Sequence, residues 1–128
     1  MEFKSNNFFL RNIFYFLFTI YFLVGLSIFR DYGISVDEEF QRYSGFYWLN
    51  YILQFLPFNT LEINALNRLN EIGGFTLPNP KDFPFYGVVF DVPLAFLETI
   101  LNIQDSKTYF LLRHFFNFII FFISSIYF

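Results

Sequence analysis

The sequence predicts an all-α membrane protein in which two transmembrane helices flank a large external loop with amphipathic juxtamembrane helices. Hydrophobic residues make up 55% of the 128 residues, and Phe alone accounts for 24 of them. The surface of a water-soluble domain of this size does not accommodate such a composition. Two long apolar runs also enclose a polar stretch that contains every acidic residue except Glu2. Each part of this architecture has its own sequence signals.

The first apolar run predicts a transmembrane helix over residues 12–30. No charge occurs between Arg11 and Arg30. At about 1.5 Å per residue, the run is just long enough to cross a hydrocarbon core of about 30 Å. The run also contains small residues that a spanning helix can turn toward a neighbouring helix. These are Thr19, Gly25 and Ser27.

The short leader, residues 1–11, sets the expected orientation. It carries Lys4 and Arg11 against Glu2, and the positive-inside rule places such a segment in the cytoplasm. A secretory signal peptide is the alternative, but the apolar run is long and no small-x-small cleavage site ends it. We therefore expect an integral membrane protein of the cell envelope. Its N-terminus would be cytoplasmic, and loop 31–108 would be periplasmic or otherwise extracytoplasmic.

The second apolar run predicts a transmembrane helix over residues 109–128. Asp105 or Ser106 is the expected N-cap of this helix, because both side chains accept hydrogen bonds from first-turn amides. The run stays apolar to Phe128, with no charged flank. This pattern predicts that the chain is the N-terminal fragment of a longer protein, truncated within or just after its second span.

Three helices are expected in the loop, over about 36–56, 59–72 and 93–103. Ser35 and Glu38 have the S-x-x-E spacing of a capping box, which predicts the start of the first helix, and Pro57 is expected to end it. The second helix should end at Gly73-Gly74. Its predicted buried face recurs at helical spacing: Leu61, Ala65, Leu69 and Ile72. Pro93 is a favoured first-turn residue for the third helix.

An aromatic stripe is expected along the first loop helix, at Tyr43, Tyr47, Tyr51 and Phe55. A recurrence at every fourth position places these rings on one face. Such a face suits the membrane–water interface, and it equally suits packing against the rest of the loop. The sequence leaves both interpretations open.

The acidic cluster Asp37-Glu38-Glu39 immediately follows the first span and is the strongest functional signal. Helix initiation accounts for part of it, because a helix dipole stabilises first-turn carboxylates by about 0.3–1 kcal/mol each. Glu38 also precedes Arg42 by four residues, which favours an ion pair on the helix. However, acids beside hydrocarbon are costly and often functional.

Arg113 and His114 lie just inside the start of the second span. Arg113 can extend to the headgroups while His114 bonds a loop carbonyl, or the pair can hold a lipid phosphate. No ligand spacing supports a metal site that includes His114. The absence of Cys excludes disulfides and thiolate metal sites. The single His and the few basic residues argue against nucleic-acid binding.

With Asp37-Glu38 in a capped helix after one span, followed by Arg42-Tyr43, the chain resembles the start of the polytopic lipid-linked glycosyltransferases. The nearest group is the protein-mannosyltransferase and aminoarabinose-transferase superfamily, with its bacterial family-39-like members. Val92-Pro93-Leu94, after Asp91, matches part of that family's His/Lys-Pro-Pro-Leu element. Arg113 occupies the family's basic position at the second span.

The resemblance implies an inverting transfer of a sugar from a polyprenyl-phosphate donor to an acceptor on the outer face of the membrane. Asp37 would be the catalytic base, and Glu38 would orient it or bind the acceptor or a divalent metal. Arg113, with Arg42 and His114, would bind substrate, and Arg113 would hold the donor phosphate. The partners would be membrane lipid and the lipid-linked donor, and two spans alone would be inactive. The alternative is a small non-enzymatic membrane protein whose external loop binds a partner.

Overall fold

The computed structural model describes residues 6–73, 77–83 and 88–127, and every regular element in these ranges is helical. Lys4, Gly74 and Phe128, which carried parts of the sequence predictions, lie outside the described residues. The helices are α1 (Asn6–Ile28), α2 (Val36–Leu53), α3 (Asn59–Gly73), α4 (Val88–Ile100) and α5 (Ser106–Tyr127). Two short 3₁₀ turns, Phe29–Asp31 and Pro80–Asp82, complete the secondary structure. The predicted all-α class is confirmed for the described residues.

The chain divides into two compact units. The first comprises the residues up to Tyr32 and those from Arg113 onward, so it holds α1 and most of α5. The second comprises Gly33–Leu112, with α2, α3 and α4. Both α1 and α5 are long and apolar enough to cross a membrane, with mean hydropathies of 2.0 and 1.6. A core helix of a soluble protein is mostly buried, whereas only 6% of the first of these spans is buried and 22% of the second.

In the first unit, α1 and α5 meet through aromatic rings and one glycine. Phe22 lies with its ring centroid 4.8 Å from that of Phe122 and 5.9 Å from that of Phe118. Gly25 is buried, and a Cβ built there would lie 2.0 Å from the Phe118 ring. The prediction that Gly25 faces a neighbouring helix is therefore confirmed, whereas Thr19 and Ser27 are exposed.

Four hydroxyl groups in the apolar parts of α1 and α5 bond to the helix backbone. Thr19 donates to the carbonyl of Tyr15 at 2.8 Å, and Ser27 donates to that of Leu23 at 2.9 Å. Ser124 and Ser125 make the same four-residue contact in α5, each at 2.8 Å. These bonds satisfy the donors without water, which is the requirement that hydrocarbon imposes on a polar group.

The core of the second unit lies where α2 crosses α3 and α4. The buried face of α2 consists of Phe46, Leu49 and Leu53, which are 0–3% exposed. The predicted face of α3 is confirmed, since Ala65 and Ile72 are buried and Leu61 and Leu69 pack against the same cluster. The aromatic stripe belongs only partly to this core, because Tyr43 packs against the cluster, whereas Tyr51 is 49% exposed and Phe55, beyond the end of α2, is 72% exposed.

Helix α2 begins at the expected residue, Val36, but the predicted capping box is wrong. Ser35 is the N-cap in extended conformation, and its side chain makes no capping hydrogen bond. The helix also ends at Leu53, not near Leu56. Its last turn tightens, with the amide of Leu56 donating to the carbonyl of Leu53 at 3.0 Å. Pro57 has no amide hydrogen to donate to the Leu53 carbonyl four residues earlier, so the α-helical pattern does not continue past this residue.

Helix α4 differs most from the prediction. It begins at Val88, so Pro93 lies inside it rather than at its start. Proline interrupts the bond to the carbonyl four residues earlier. Here that residue is Val89, which is 87% exposed. The packing of α4 against α2 holds both sides of Pro93 in one helix, which a local signal does not reveal.

Helix α4 ends at Ile100 because Asn102 adopts a left-handed conformation, with φ 48°. The amide of Ile103 donates to the carbonyl of Glu98 at 3.1 Å, and that of Asn102 donates to Thr99 at 3.3 Å. These two bonds form a Schellman cap, in which Asn substitutes for the more common Gly. The predicted end near Ile103 was therefore too late.

Helix α5 begins at Ser106, three residues before the predicted span, and Asp105 caps it as expected. The backbone amide of Thr108 donates to Asp105 Oδ2 at 3.0 Å, and the Thr108 hydroxyl donates to the same oxygen at 2.8 Å. These bonds hold the pKa of the Asp105 carboxyl below its usual value, and the hydroxyl bond is the larger cause.

Helix α1 begins at Asn6, so Arg11 lies within the helix rather than before it.

Candidate functional site

The acidic cluster lies in the first turn of α2, shortly after the 3₁₀ turn that follows α1. Asp37 and Glu39 are exposed and Glu38 is half-buried. Successive residues of a helix point about 100° apart, so these three carboxylates face different directions. Asp37 is therefore open to an acceptor molecule, which a catalytic base requires. Its role as a base stays a prediction.

Arg42, one turn later in α2, forms a buried ion pair with Glu98 of α4. Its Nε donates to both carboxylate oxygens of Glu98 at 3.1 Å, and its Nη2 makes a further short contact to Oε1. Arg42 is 8% exposed and Glu98 is 2% exposed. A bidentate geometry of this kind fixes the guanidinium plane as well as its position.

Two aromatic rings enclose the same guanidinium. Arg42 Cζ lies 3.7 Å from the ring centroid of Tyr109 and 5.5 Å from that of Phe46. Cation–π contacts of this length gain in strength when water is excluded. Arg42 therefore connects α2, α4 and the first turn of α5 within the second unit. The substrate-binding role predicted for Arg42 stays a prediction, and any such ligand would meet a guanidinium already held by Glu98.

Glu98 is not among the predicted site residues, although the sequence contains one signal for it. Glu98 is one of two acids in the largely apolar helix Val88–Ile100, and the other is Asp91. A carboxylate is almost never fully buried unless it is paired. The partner is 56 positions away, so neither i+3 nor i+4 spacing reveals it. Asp91 is likewise buried, at 5% exposure.

A cavity of about 220 Å³ lies beside Arg42 in the second unit. Arg42 and Tyr109 line it together with Glu39, which belongs to the acidic cluster of α2. Its other walls come from α3, the segment around residue 77, the segment before α5 and the first residue of α5: Arg68, Glu71, Ile72, Leu77, Gln104 and Ser106. The cavity thus presents two arginines, two glutamates, a tyrosine ring and an apolar edge. Asp37 and Glu38 do not line it.

Arg113 and His114 belong to the first unit, whereas the other predicted site residues belong to the second. Arg113 is 3% exposed and His114 is 5% exposed. An arginine that extends to the headgroups would be more exposed, so that interpretation of Arg113 is wrong. The His114 ring packs edge-on against Tyr32, with centroids 5.9 Å apart. The assignment of Arg113 to a donor phosphate stays a prediction, and it requires the buried guanidinium to become accessible.

Among the described residues, no three His, Cys, Asp or Glu side chains gather where they could hold a metal ion. Asp37 and Glu38 offer at most two adjacent carboxylates. Mg²⁺ can be bound by one or two carboxylates only when substrate phosphates and water complete its octahedron. The donor set therefore does not fit a metal site made by these residues alone.

Three comparisons with known proteins add no relative to these observations. No protein-family model, curated protein or solved structure matches this chain.

Proposed function

We propose that this chain is the N-terminal portion of a membrane glycosyltransferase that moves a sugar from a polyprenyl-phosphate donor to an acceptor on the outer face of the membrane. The observation that carries the proposal is Asp37, an exposed carboxylate in the first turn of α2, close after a helix apolar enough to span a membrane. The resemblance of Asp37-Glu38 and Arg42-Tyr43 to the acidic motif of lipid-linked glycosyltransferases supports it.

The membrane part of the proposal has α1 and α5 cross the bilayer, with residues 31–108 outside and the N-terminus in the cytoplasm. The low burial of both helices supports insertion, because their exposed rings otherwise face water. The four hydroxyls that donate to backbone carbonyls support it too, because each already has the hydrogen-bond acceptor that hydrocarbon does not supply. The basic leader supports the orientation.

In the proposed reaction, Asp37 removes the proton from the acceptor hydroxyl or amine as the acceptor attacks the anomeric carbon. The bond from that carbon to the phosphate oxygen breaks on the opposite side, which inverts the configuration. The polyprenyl phosphate leaves as an anion and therefore needs cationic stabilisation, for which Arg113 is the proposed group. Glu38, half-buried beside Asp37, would orient the base or the acceptor.

The test is Asp37→Asn in the natural full-length protein, assayed with a labelled polyprenyl-phosphate sugar. General base catalysis contributes about 10²–10⁴-fold, so the transfer rate should fall by at least 100-fold. Glu62→Gln is the matched control, because Glu62 is the first-turn acid of α3 and its loss should leave transfer intact. Full activity of Asp37→Asn would contradict the assignment. Undetectable transfer in the unaltered protein would favour the alternative of a non-enzymatic membrane protein that binds a partner through its loop.

A further inference from the structure

A second cavity, separate from the acidic cluster, lies in the second unit between α3, the end of α4 and the segment before α5. Its volume is about 150 Å³. All of the residues that line it are polar: Asn64, Asn67, Arg68, Glu71, Thr99, Asn102 and Gln104. Ligand pockets are ordinarily lined mainly by apolar side chains with a few polar groups. A wall made wholly of polar side chains therefore selects a ligand that is itself polar on every edge.

Much of this wall is held in place by its own hydrogen bonds. Arg68 Nη1 donates to Glu71 Oε2 at 3.1 Å, and its Nη2 lies 3.5 Å from Asn102 Oδ1. Gln104 Nε2 donates to the same oxygen at 3.4 Å. Asn102 is itself fixed by the left-handed cap of α4. The network is thus formed before any ligand arrives.

These bonds leave both donors and acceptors unused in the residues that line the cavity. The amide nitrogen of Asn102 and the amide oxygen of Gln104 remain free of the network, and each can make further bonds. Within the described part of the chain, no hydrogen bond uses the amides of Asn64 or Asn67. An amide offers two donor hydrogens beside an acceptor oxygen, which matches a hydroxyl that donates and accepts.

Most charges around the two cavities are paired, which disfavours ions of either sign as ligands. Arg68 and Glu71 neutralise each other, and Glu98 neutralises Arg42 in the neighbouring cavity of about 220 Å³. Arg68, Glu71 and Gln104 line both cavities. Glu39 adds a negative charge to the larger one, which disfavours phosphate and carboxylate. A cation would instead meet Arg68.

The larger cavity supplies the apolar contacts that the smaller one lacks. Ile72, Leu77 and Tyr109 form part of its wall, and such side chains suit the C–H face of a ring. Both volumes lie below the roughly 300–1,000 Å³ of pockets for drug-sized ligands, so the ligand is small. An extended peptide fits less well, because its apolar side chains would meet only polar groups in the smaller cavity.

We propose that the polar groove formed by these two cavities is a binding site for a neutral carbohydrate of one or two rings. The hydroxyl edge would bond to the amides of α3 and to Asn102 and Gln104, and the C–H face would lie toward Ile72 and Leu77. As a substrate site for a transferase, this groove rests on the proposed function. As a carbohydrate-binding site it needs no transfer chemistry, because no bond is made or broken there.

The test measures binding of neutral methyl glycosides to the purified chain by saturation-transfer NMR. The probes are methyl α-D-mannopyranoside, methyl β-D-glucopyranoside and methyl β-D-galactopyranoside, and the detergent has a phosphocholine headgroup so that it carries no sugar. At least one probe should saturate. Asn67→Ala should weaken that binding by about fivefold to tenfold, the loss of roughly one hydrogen bond. Asn70→Ala, another exposed Asn of α3 that lies outside both cavities, should leave it unchanged.

Three results would overturn the groove: no saturable binding, binding that survives the double variant Asn64→Ala/Asn67→Ala, or displacement of the probe by inorganic phosphate or N-acetyl-triglycine amide. The last result would assign the groove to anions or to peptides. Asn64 and Asn67 are exposed, so their replacement should not unfold the chain, which circular dichroism checks. Asp37→Asn should retain probe binding. Loss of transfer with intact probe binding would therefore test only the catalytic proposal. Loss of probe binding with intact transfer would test only the groove.

Discussion

At the scale of single residues, the Arg42 guanidinium is held by contacts on several sides. It bonds bidentately to Glu98 and lies 3.7 Å from the ring centroid of Tyr109. A buried ion pair recovers its desolvation cost only when its geometry is this complete. The sequence identified Arg42 and proposed Glu38 as an ion-pair partner, but it did not identify Glu98. Local spacing predicts contacts along one helix, whereas this contact is made between helices.

Removing one member of this pair should be far more damaging than removing both. We expect Glu98→Gln to lower the free energy of unfolding by about 3–5 kcal/mol, because it leaves the Arg42 charge buried without its counter-ion. The double variant Arg42→Met/Glu98→Leu should recover most of that loss. Unfolding in detergent can be followed by the fluorescence of Trp48, the single Trp of the chain.

The matched control for this prediction is Glu71→Gln, which breaks the Arg68–Glu71 pair at the surface. The Glu71 side chain is 63% exposed, so the cost should stay within about 1 kcal/mol. If Glu98→Gln cost no more than this control, the Arg42–Glu98 pair would not stabilise the second unit.

At the scale of the helices, the crossing of α2 and α4 depends on a residue without a side chain. A Cβ built on Gly45 would lie 2.6 Å from the backbone oxygen of Asp91 and 3.1 Å from its Cβ. Backbone atoms of a packed helix cannot move aside as the end of a side chain can. Gly45 thus sets how closely the two helices approach, and with that the position of Asp91 in the buried face of α4.

We expect Gly45→Ala to destabilise the chain by about 1–3 kcal/mol through overpacking. Alanine gains about 0.5–1 kcal/mol over glycine inside a helix, and the clash should exceed that gain. Gly33→Ala is the control, because nothing lies within 4 Å of a Cβ built there. Both variants are compared by thermal unfolding in the same detergent. A Gly45→Ala protein as stable as Gly33→Ala would show that the helices separate at little cost.

At the scale of the whole molecule, the division of the chain follows composition. The unit with α1 and most of α5 exposes large apolar side chains along both helices, whereas the unit of α2, α3 and α4 has a buried core and a polar groove. Water is a poor solvent for the first kind of surface, since about 25 cal/mol is lost for each Å² of apolar area left exposed. A hydrocarbon environment removes that cost for the first unit.

The proposed topology predicts that a reagent outside the cell reaches the second unit but not the N-terminal leader. The chain has no Cys, so single-Cys variants report one position each. In intact cells a membrane-impermeant maleimide should label Lys81→Cys, an exposed position of the second unit. It should label Ser5→Cys only after the membrane is permeabilised. Phe16→Cys, within α1, should react in neither condition. If only Ser5→Cys were labelled in intact cells, the orientation would be the opposite of the proposed one. Labelling of all three variants would argue against insertion of α1 in the membrane.

The sequence by itself determined the all-α class, the two apolar helices, the core face of α3 and a cap for α5 at Asp105 or Ser106, between which the structure selects Asp105. These features depend on hydrophobic periodicity, run length and side chains that bond within one turn, all of which are local in the chain. Only the tertiary structure decided that Phe46, Leu49 and Leu53 form the core face of α2, that α4 continues through Pro93, and that Asn102 ends it. The Arg42–Glu98 pair and the polar groove belong to the same class. The pair and the groove each join residues from elements that are distant in sequence, and a contact of that kind leaves no periodic pattern in either element.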